Sequence, residues 1–146
     1  MTESFTIEPA DWTRQRETLL GIRFAVFVEE QGVPPELEED EADPQALHLL
    51  ARNAAGEAVA TARLLPDGHI GRMAVLRPWR GRGLGTALLR HLLAIAAERG
   101  LEAVYLNAQC SAEGFYARLG FQAEGEVFDD AGIPHRRMRR LLHSER

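Results

Sequence analysis

Lysine is absent: all 17 basic side chains among the 146 residues are arginine. That gap removes whole chemistries. A phosphate-binding loop of the G-x-x-x-x-G-K-[ST] type needs the lysine, and Schiff-base or pyridoxal chemistry needs its amine. A single cysteine, Cys110, permits no intrachain disulfide, which fits a reducing compartment and predicts a cytoplasmic protein. No apolar run approaches the roughly 20 residues that cross a bilayer. Even the stretch Leu88 to Ala97 is cut by Arg90 and His91. The start, MTESFTIEPADW, has no basic segment followed by an apolar one and does not read as a signal peptide. The net charge is −5, the wrong sign for a dedicated nucleic-acid binder. Histidines, the cysteine and carboxylates show no metal-ligand spacing, so no metal is expected.

What is present is an ordinary globular composition, 45% hydrophobic and 27% charged, on a chain sized for a single domain over 1–146. Phe5 and Ile7 alternate as a short strand. Asp11 is placed to cap a helix running to about Glu30, on which Leu19, Ile22 and Val26 recur at helical spacing. Gly32, Pro34 and Pro35 stop it. Strands are predicted over Leu47 to Arg52, Ala58 to Leu65 and His69 to Val75. A long helix follows from about Leu84 to Arg99, closed by Gly100. Leu101 to Ala108 reads as a buried strand, Ser111 as the cap of a helix reaching Leu119. Phe121 to Phe128 and a final strand near Met138 are joined by the turn Asp129-Asp130-Ala131-Gly132. The sum is a mixed α/β sheet of about seven strands with about four helices.

The stretch Arg80-Gly81-Arg82-Gly83-Leu84-Gly85-Thr86 lies between a strand and the long helix. Glycines there let backbone approach a ligand, and the amides at a helix start attract an anion. The dinucleotide fingerprint G-x-G-x-x-G fails because Thr86 stands where its last glycine belongs. The spacing R-x-x-G-x-G is met by Arg80, Gly83 and Gly85. This resembles the pyrophosphate loop of the Gcn5-related N-acetyltransferases. The similarity continues in Gly71-Arg72-Met73-Ala74-Val75, in Leu106-Asn107-Ala108-Gln109, and in Gly114-Phe115-Tyr116-Ala117-Arg118-Leu119-Gly120-Phe121. Two outer segments, Arg23 to Gln31 and Asp130 to His135, are similar to a small stand-alone branch, the ElaA-like acyltransferases.

The resemblance implies a GNAT-type fold whose fourth and fifth strands splay apart, and transfer of an acyl group from acetyl-CoA or another short acyl-CoA to an amine. The pantetheine arm is then expected along Met73, Ala74 and Val75, and the pyrophosphate over Arg80, Gly81, Arg82, Gly83, Leu84, Gly85 and Thr86. Asn107 matches a pantetheine-contacting position, and Phe115 joins the coenzyme-lining set. Tyr116 matches the tyrosine that protonates the departing thiolate, a role suited to a phenol.

The base is less defined. An alkyl amine with a pKa near 10 must lose a proton before attack. The family's usual glutamate near the start of the fourth strand is missing, since the region reads His69-Ile70-Gly71-Arg72. His69, expected by alternation on one face with Met73, is one candidate. Glu30, His48 and a water chain are the others. Cys110 reads as a small, partly buried thiol outside the chemistry. Six of the eight residues from Glu36 to Asp43 are acidic, expected as a solvated loop or as an attractor for a cationic amine. His135, Arg137 and Arg139 share a face, with exposure or pairing to that acidic loop expected. The expected partner is a small-molecule or peptide amine, with no nucleic acid and no membrane, and the chain is a monomer or a homodimer. A non-catalytic acyl-CoA sensor, or an interaction domain whose glycines serve only the turn, would share the loop.

Overall fold

The computed structural model describes residues 4–37 and 39–142. Its elements run β1 (Phe5–Ala10), α1 (Trp12–Arg23), β2 (Leu47–Asn53), β3 (Ala58–Leu64), β4 (Ile70–Val75), α2 (Leu84–Glu98), β5 (Ala103–Gln109), α3 (Glu113–Ala117), β6 (Gln122–Asp130) and β7 (Ile133–Leu141). Asp11 does cap α1, accepting from the Thr13 amide at 3.4 Å. The predicted single helix to Glu30 changes character midway: Phe24–Glu30 is π-helical. Leu19, Ile22 and Val26 nevertheless keep one apolar face, packed against Leu50 and Ala74 of the sheet. On the opposite side α2 buries Leu84, Leu88, Leu89, Leu92 and Ala96. Each buried leucine there stabilises by about 1.5–3 kcal/mol.

Two antiparallel sheets, ordered β1-β2-β3-β4 and β5-β7-β6, make up the seven strands. They meet at one parallel bridge, His69 with Tyr105, where the Tyr105 amide also donates to Gly68 O at 3.0 Å. Past this point β4 and β5 share no further strand pairing among the described residues. Gly68 has φ +98, and a Cβ on it would sit 2.8 Å from Ala103 O, so only glycine lets the two chains approach this closely.

A bulge shapes β4. Arg63 pairs with Gly71 and Thr61 with Ala74, so Arg72 and Met73 together face a single residue of β3. Arg72 takes φ +49, which is costly for a residue with a Cβ. Such a bulge bends its strand and re-aims the backbone. It also breaks the period-two alternation expected to put His69 and Met73 on one face, because Ile70 and Val75 now share a side.

Other expectations also shift. Ser111 falls in a 3₁₀ turn, Cys110–Ala112, and α3 starts at Glu113 with Ala112 at its cap and no side-chain bond there. β6 extends to Asp130, so the hairpin turn is only Ala131 and Gly132, with φ 55 and 81. Positive φ at both positions matches the right-handed strand twist.

The acidic segment is only partly solvated: Glu36, Glu39 and Glu41 are exposed, while Asp40 and Asp43 are drawn inward. Asp43 is fully buried and takes both Arg23 nitrogens, at 2.9 and 3.1 Å, and Arg63 at 2.9 Å. Asp40 binds Arg63 and Arg72, and Glu39 binds Arg16. Glu38 lies outside the described residues. Among the described residues the basic strand pairs elsewhere: Arg137 pairs with Glu124 at 3.0 Å and lies over the Tyr105 ring, and Arg140 donates to Leu119 O.

Candidate active site

The diverging strands leave a cleft of about 460 Å³. Met73 and Val75 of β4 form one wall, with Leu106, Asn107 and Gln109 of β5 opposite. Val26 and Phe27 of the π-helical segment border one end, and Tyr116 reaches in from α3. A mixture of apolar walls with a few convergent polar groups is the usual make-up of a ligand site. Gln109 donates to Gln31 at 2.8 Å, tying the end of β5 to the end of the π-helical segment.

Arg80, which lines the cleft, leads into the glycine loop. Gly81 and Gly83 adopt φ 76 and 84, and Gly83 occupies the cap of α2 without any side-chain bond. The first bond into the helix runs from the Ala87 amide to Gly83 O at 3.0 Å. The amides of Leu84, Gly85 and Thr86 therefore have no helical acceptor, and together with the helix dipole they form a positive end. A Cβ at Gly85 would lie 3.6 Å from the Phe115 ring, so Phe115 packs beside the first turn of α2. Arg82 lies over the Trp79 ring at 4.9 Å.

Arg80 is held in two directions. Its Nε donates to Val75 O at 2.8 Å and its outer nitrogen meets Glu30. Arg77 takes the other Glu30 oxygen at 2.7 Å. Arg80, then Arg77, lower the Glu30 pKa below the ordinary carboxylate range. With both oxygens engaged by guanidinium groups, Glu30 serves as an anchor for the loop, and this makes it poorly suited to accept a proton.

Tyr116 stands edge-on to Phe115 and Phe121, with centroids 5.0 and 5.9 Å away. Burial pushes its phenol up to about 12, so it keeps its proton throughout the neutral range. His48, one of the predicted base candidates, belongs to the core: it stacks on Trp12, its Nε2 lies 2.9 Å from Asp43 O, and it does not line the cleft. His69 does line the cleft, stacked on Tyr105 at 4.7 Å, with burial and then Arg63 lowering its pKa. Burial and the Glu113 carboxylate raise the Cys110 pKa, which disfavours a thiolate nucleophile. Among the described residues no group of three histidine, cysteine or carboxylate side chains could hold a metal ion, and no helix is long and apolar enough to cross a membrane.

The sequence profile described as an acetyltransferase (GNAT) domain matches residues 11–142, nearly the whole described fold. The chain belongs to this family. GNAT relatives agree. The uncharacterized N-acetyltransferase YjcF of Bacillus subtilis is 36% identical over 120 residues, covering 80% of this chain and 86% of that protein. The crystal structure of Escherichia coli ElaA superposes with a TM-score of 0.83 at 31% identity, covering 94% of this chain and 99% of that one. An acyl-CoA N-acyltransferase from Pseudomonas aeruginosa gives a TM-score of 0.80 at 35% identity, covering 95% and 99%. As a GNAT member the protein is an acetyltransferase, and the splayed strands are the fold's signature here.

Some GNAT site features carried no sequence signal. The Arg72 bulge interrupts an otherwise regular apolar pattern, and nothing in that pattern marks it. His135, which lines the cleft from β7, reads in the sequence only as the start of a basic strand. The register of Gln109 with His135 is what brings it there.

Proposed function

We propose that the protein transfers an acetyl group from acetyl-CoA, or another short acyl-CoA, to a primary amine bound at the same time. The observation that carries this reading is that Arg80, which lines the cleft between β4 and β5, leads directly into the glycine loop whose free amides open α2. A diphosphate fits those amides and an extended pantetheine arm the cleft.

In this reading Leu84, Gly85 and Thr86 hold the diphosphate through their amides, with Gly81 and Gly83 shaping the turn and Arg80 and Arg82 adding positive charge. Met73, Ala74 and Val75 offer backbone groups to the pantetheine, and Asn107 flanks it from β5. Phe115 closes over the first turn of the helix. Tyr116 donates its phenolic proton to the thiolate as the C–S bond breaks; its raised pKa keeps that proton in place until then. The acceptor approaches from the side bordered by Val26, Phe27 and Gln31. A cytoplasmic setting belongs to this reading, supported by the single cysteine.

The test is thiol release from acetyl-CoA against a panel of alkyl and aromatic amines. Amine-dependent release with a matching acetylated product supports acyl transfer. Tight acetyl-CoA binding with no release toward any amine would instead indicate a sensor.

A further inference from the structure

We infer that His135 is the base that takes the proton from the acceptor ammonium. The inference rests on the acyl-transfer reading above and adds a residue to it. His135 is 9% exposed and lines the cleft from β7, paired in register with Gln109 of β5. Residues directly opposite in an antiparallel pair share a face. Its partner Gln109 binds Gln31 at the end of the π-helical segment, so His135 sits on the acceptor side of the sheet.

The ring is fixed in a useful state. Nδ1 lies 2.8 Å from Ile133 O, and a carbonyl can only accept, so Nδ1 carries the hydrogen. The neutral ring then has its lone pair on Nε2. Nε2 has no hydrogen-bond partner among the described residues, yet it is not among the buried unpaired nitrogens. Phe128 stacks on the ring at 5.9 Å and holds its plane. A histidine with one nitrogen anchored to a carbonyl and the other open to a cleft is arranged to accept a proton there.

The alternatives are less well placed. Both oxygens of Glu30 are engaged by arginines. His69 sits where the two sheets meet, its own backbone bridging them, and neither of its ring nitrogens has a hydrogen-bond partner among the described residues. The ionisable groups sharing the cleft with His135 are Asp130 from β6, Tyr116 from α3, and Asp40, Arg63, His69, Arg72 and Arg80 across the gap. Arg136 is its neighbour on its own strand, and Cys110 follows its register partner Gln109.

The proton accounting is simple. The ammonium releases one proton to Nε2, and the free amine attacks the thioester carbon. As the C–N bond forms and the C–S bond breaks, Tyr116 protonates the sulfur. The second proton leaving the new amide nitrogen restores the phenol through water, and His135 returns the first to solvent.

The test compares benzylamine, which is protonated at neutral pH, with aniline, which is already neutral, both with acetyl-CoA. His135→Asn keeps an N–H for Ile133 O and removes the lone pair. Its benzylamine rate should fall at least about 100-fold while its aniline rate stays within about threefold of wild type. His91→Asn, on the exposed side of α2, should leave both rates unchanged. Equal loss toward both amines, no loss toward either, or selective loss in His69→Asn would each overturn the assignment. Where benzylamine and aniline are not accepted, an alkyl and an aromatic amine that are accepted in the panel take their places. Wild type releasing no thiol toward any amine of that panel would overturn the acyl-transfer reading itself. Nitrogen-15 spectra of the wild-type histidines supply a check independent of the variants. They should show His135 protonated on Nδ1 and its Nε2 signal moving on addition of acetyl-CoA; the opposite tautomer would contradict the proposal.

Discussion

Tyr105 donates its backbone N–H to Gly68 O at 3.0 Å, and this contact sits where the two sheets of the protein touch before separating. Everything functional lies beyond it. Gly68→Ala places a methyl against Ala103 O in a backbone region that disfavours side chains. We expect a loss of about 1–3 kcal/mol and a melting temperature lower by roughly 5–10 °C. An unchanged melt would show that the junction does not depend on this close approach.

The acidic segment predicts a pH response. Burial alone would raise the Asp43 carboxyl, but the hydrogen bonds from Arg23, the Asp40 amide and Arg63, together with the Arg23 charge, outweigh it and lower the pKa to about 2, from an ordinary 3.8. A carboxylate depressed in the folded chain contributes stability above its unfolded pKa, and that contribution fades as pH falls toward the folded value. The contribution is about 2 kcal/mol, lost between about pH 4 and 2. Asp43→Asn should flatten this part of the stability curve in urea titrations. It also strands Arg23, 1% exposed, and Arg63 beside it, for an expected loss of about 3–5 kcal/mol at neutral pH.

Tyr116→Phe removes one oxygen while keeping the ring contacts to Phe115 and Phe121. The turnover rate should fall by about 10²–10⁴ with little change in acetyl-CoA affinity. Steady-state kinetics with a binding titration separate the two. Activity close to wild type would remove the phenol from the chemistry.

Glu30→Gln separates an anchor from a base. It weakens the hold on Arg77 and Arg80, so the acetyl-CoA KM should rise. Turnover should drop far less than the 100-fold or more that loss of a general base brings. A large fall in turnover at saturating acetyl-CoA would reinstate Glu30 as proton acceptor.

Much of this was legible in the chain because the signals are local. Short apolar runs mark β2 and β3, the Leu-rich period marks α2, and the glycine loop carries its own spacing. What stayed hidden depends on pairing across the sheet. The Arg72 bulge arises from the register of β4 against β3, and His135 reaches the cleft only through its pairing with Gln109. The docked acidic segment needed Arg23, Arg63 and Arg72, which are distant in sequence and converge only in the fold. A run of carboxylates alone cannot show that its counterions are built into the same chain.

Crystals grown with coenzyme A test the central claim most directly. Difference density should place the diphosphate against the amides of Leu84, Gly85 and Thr86, with the pantetheine arm between Met73–Val75 and Asn107 and its thiol toward Tyr116. Coenzyme bound elsewhere, or a gap between β4 and β5 left empty at saturating coenzyme, would contradict it.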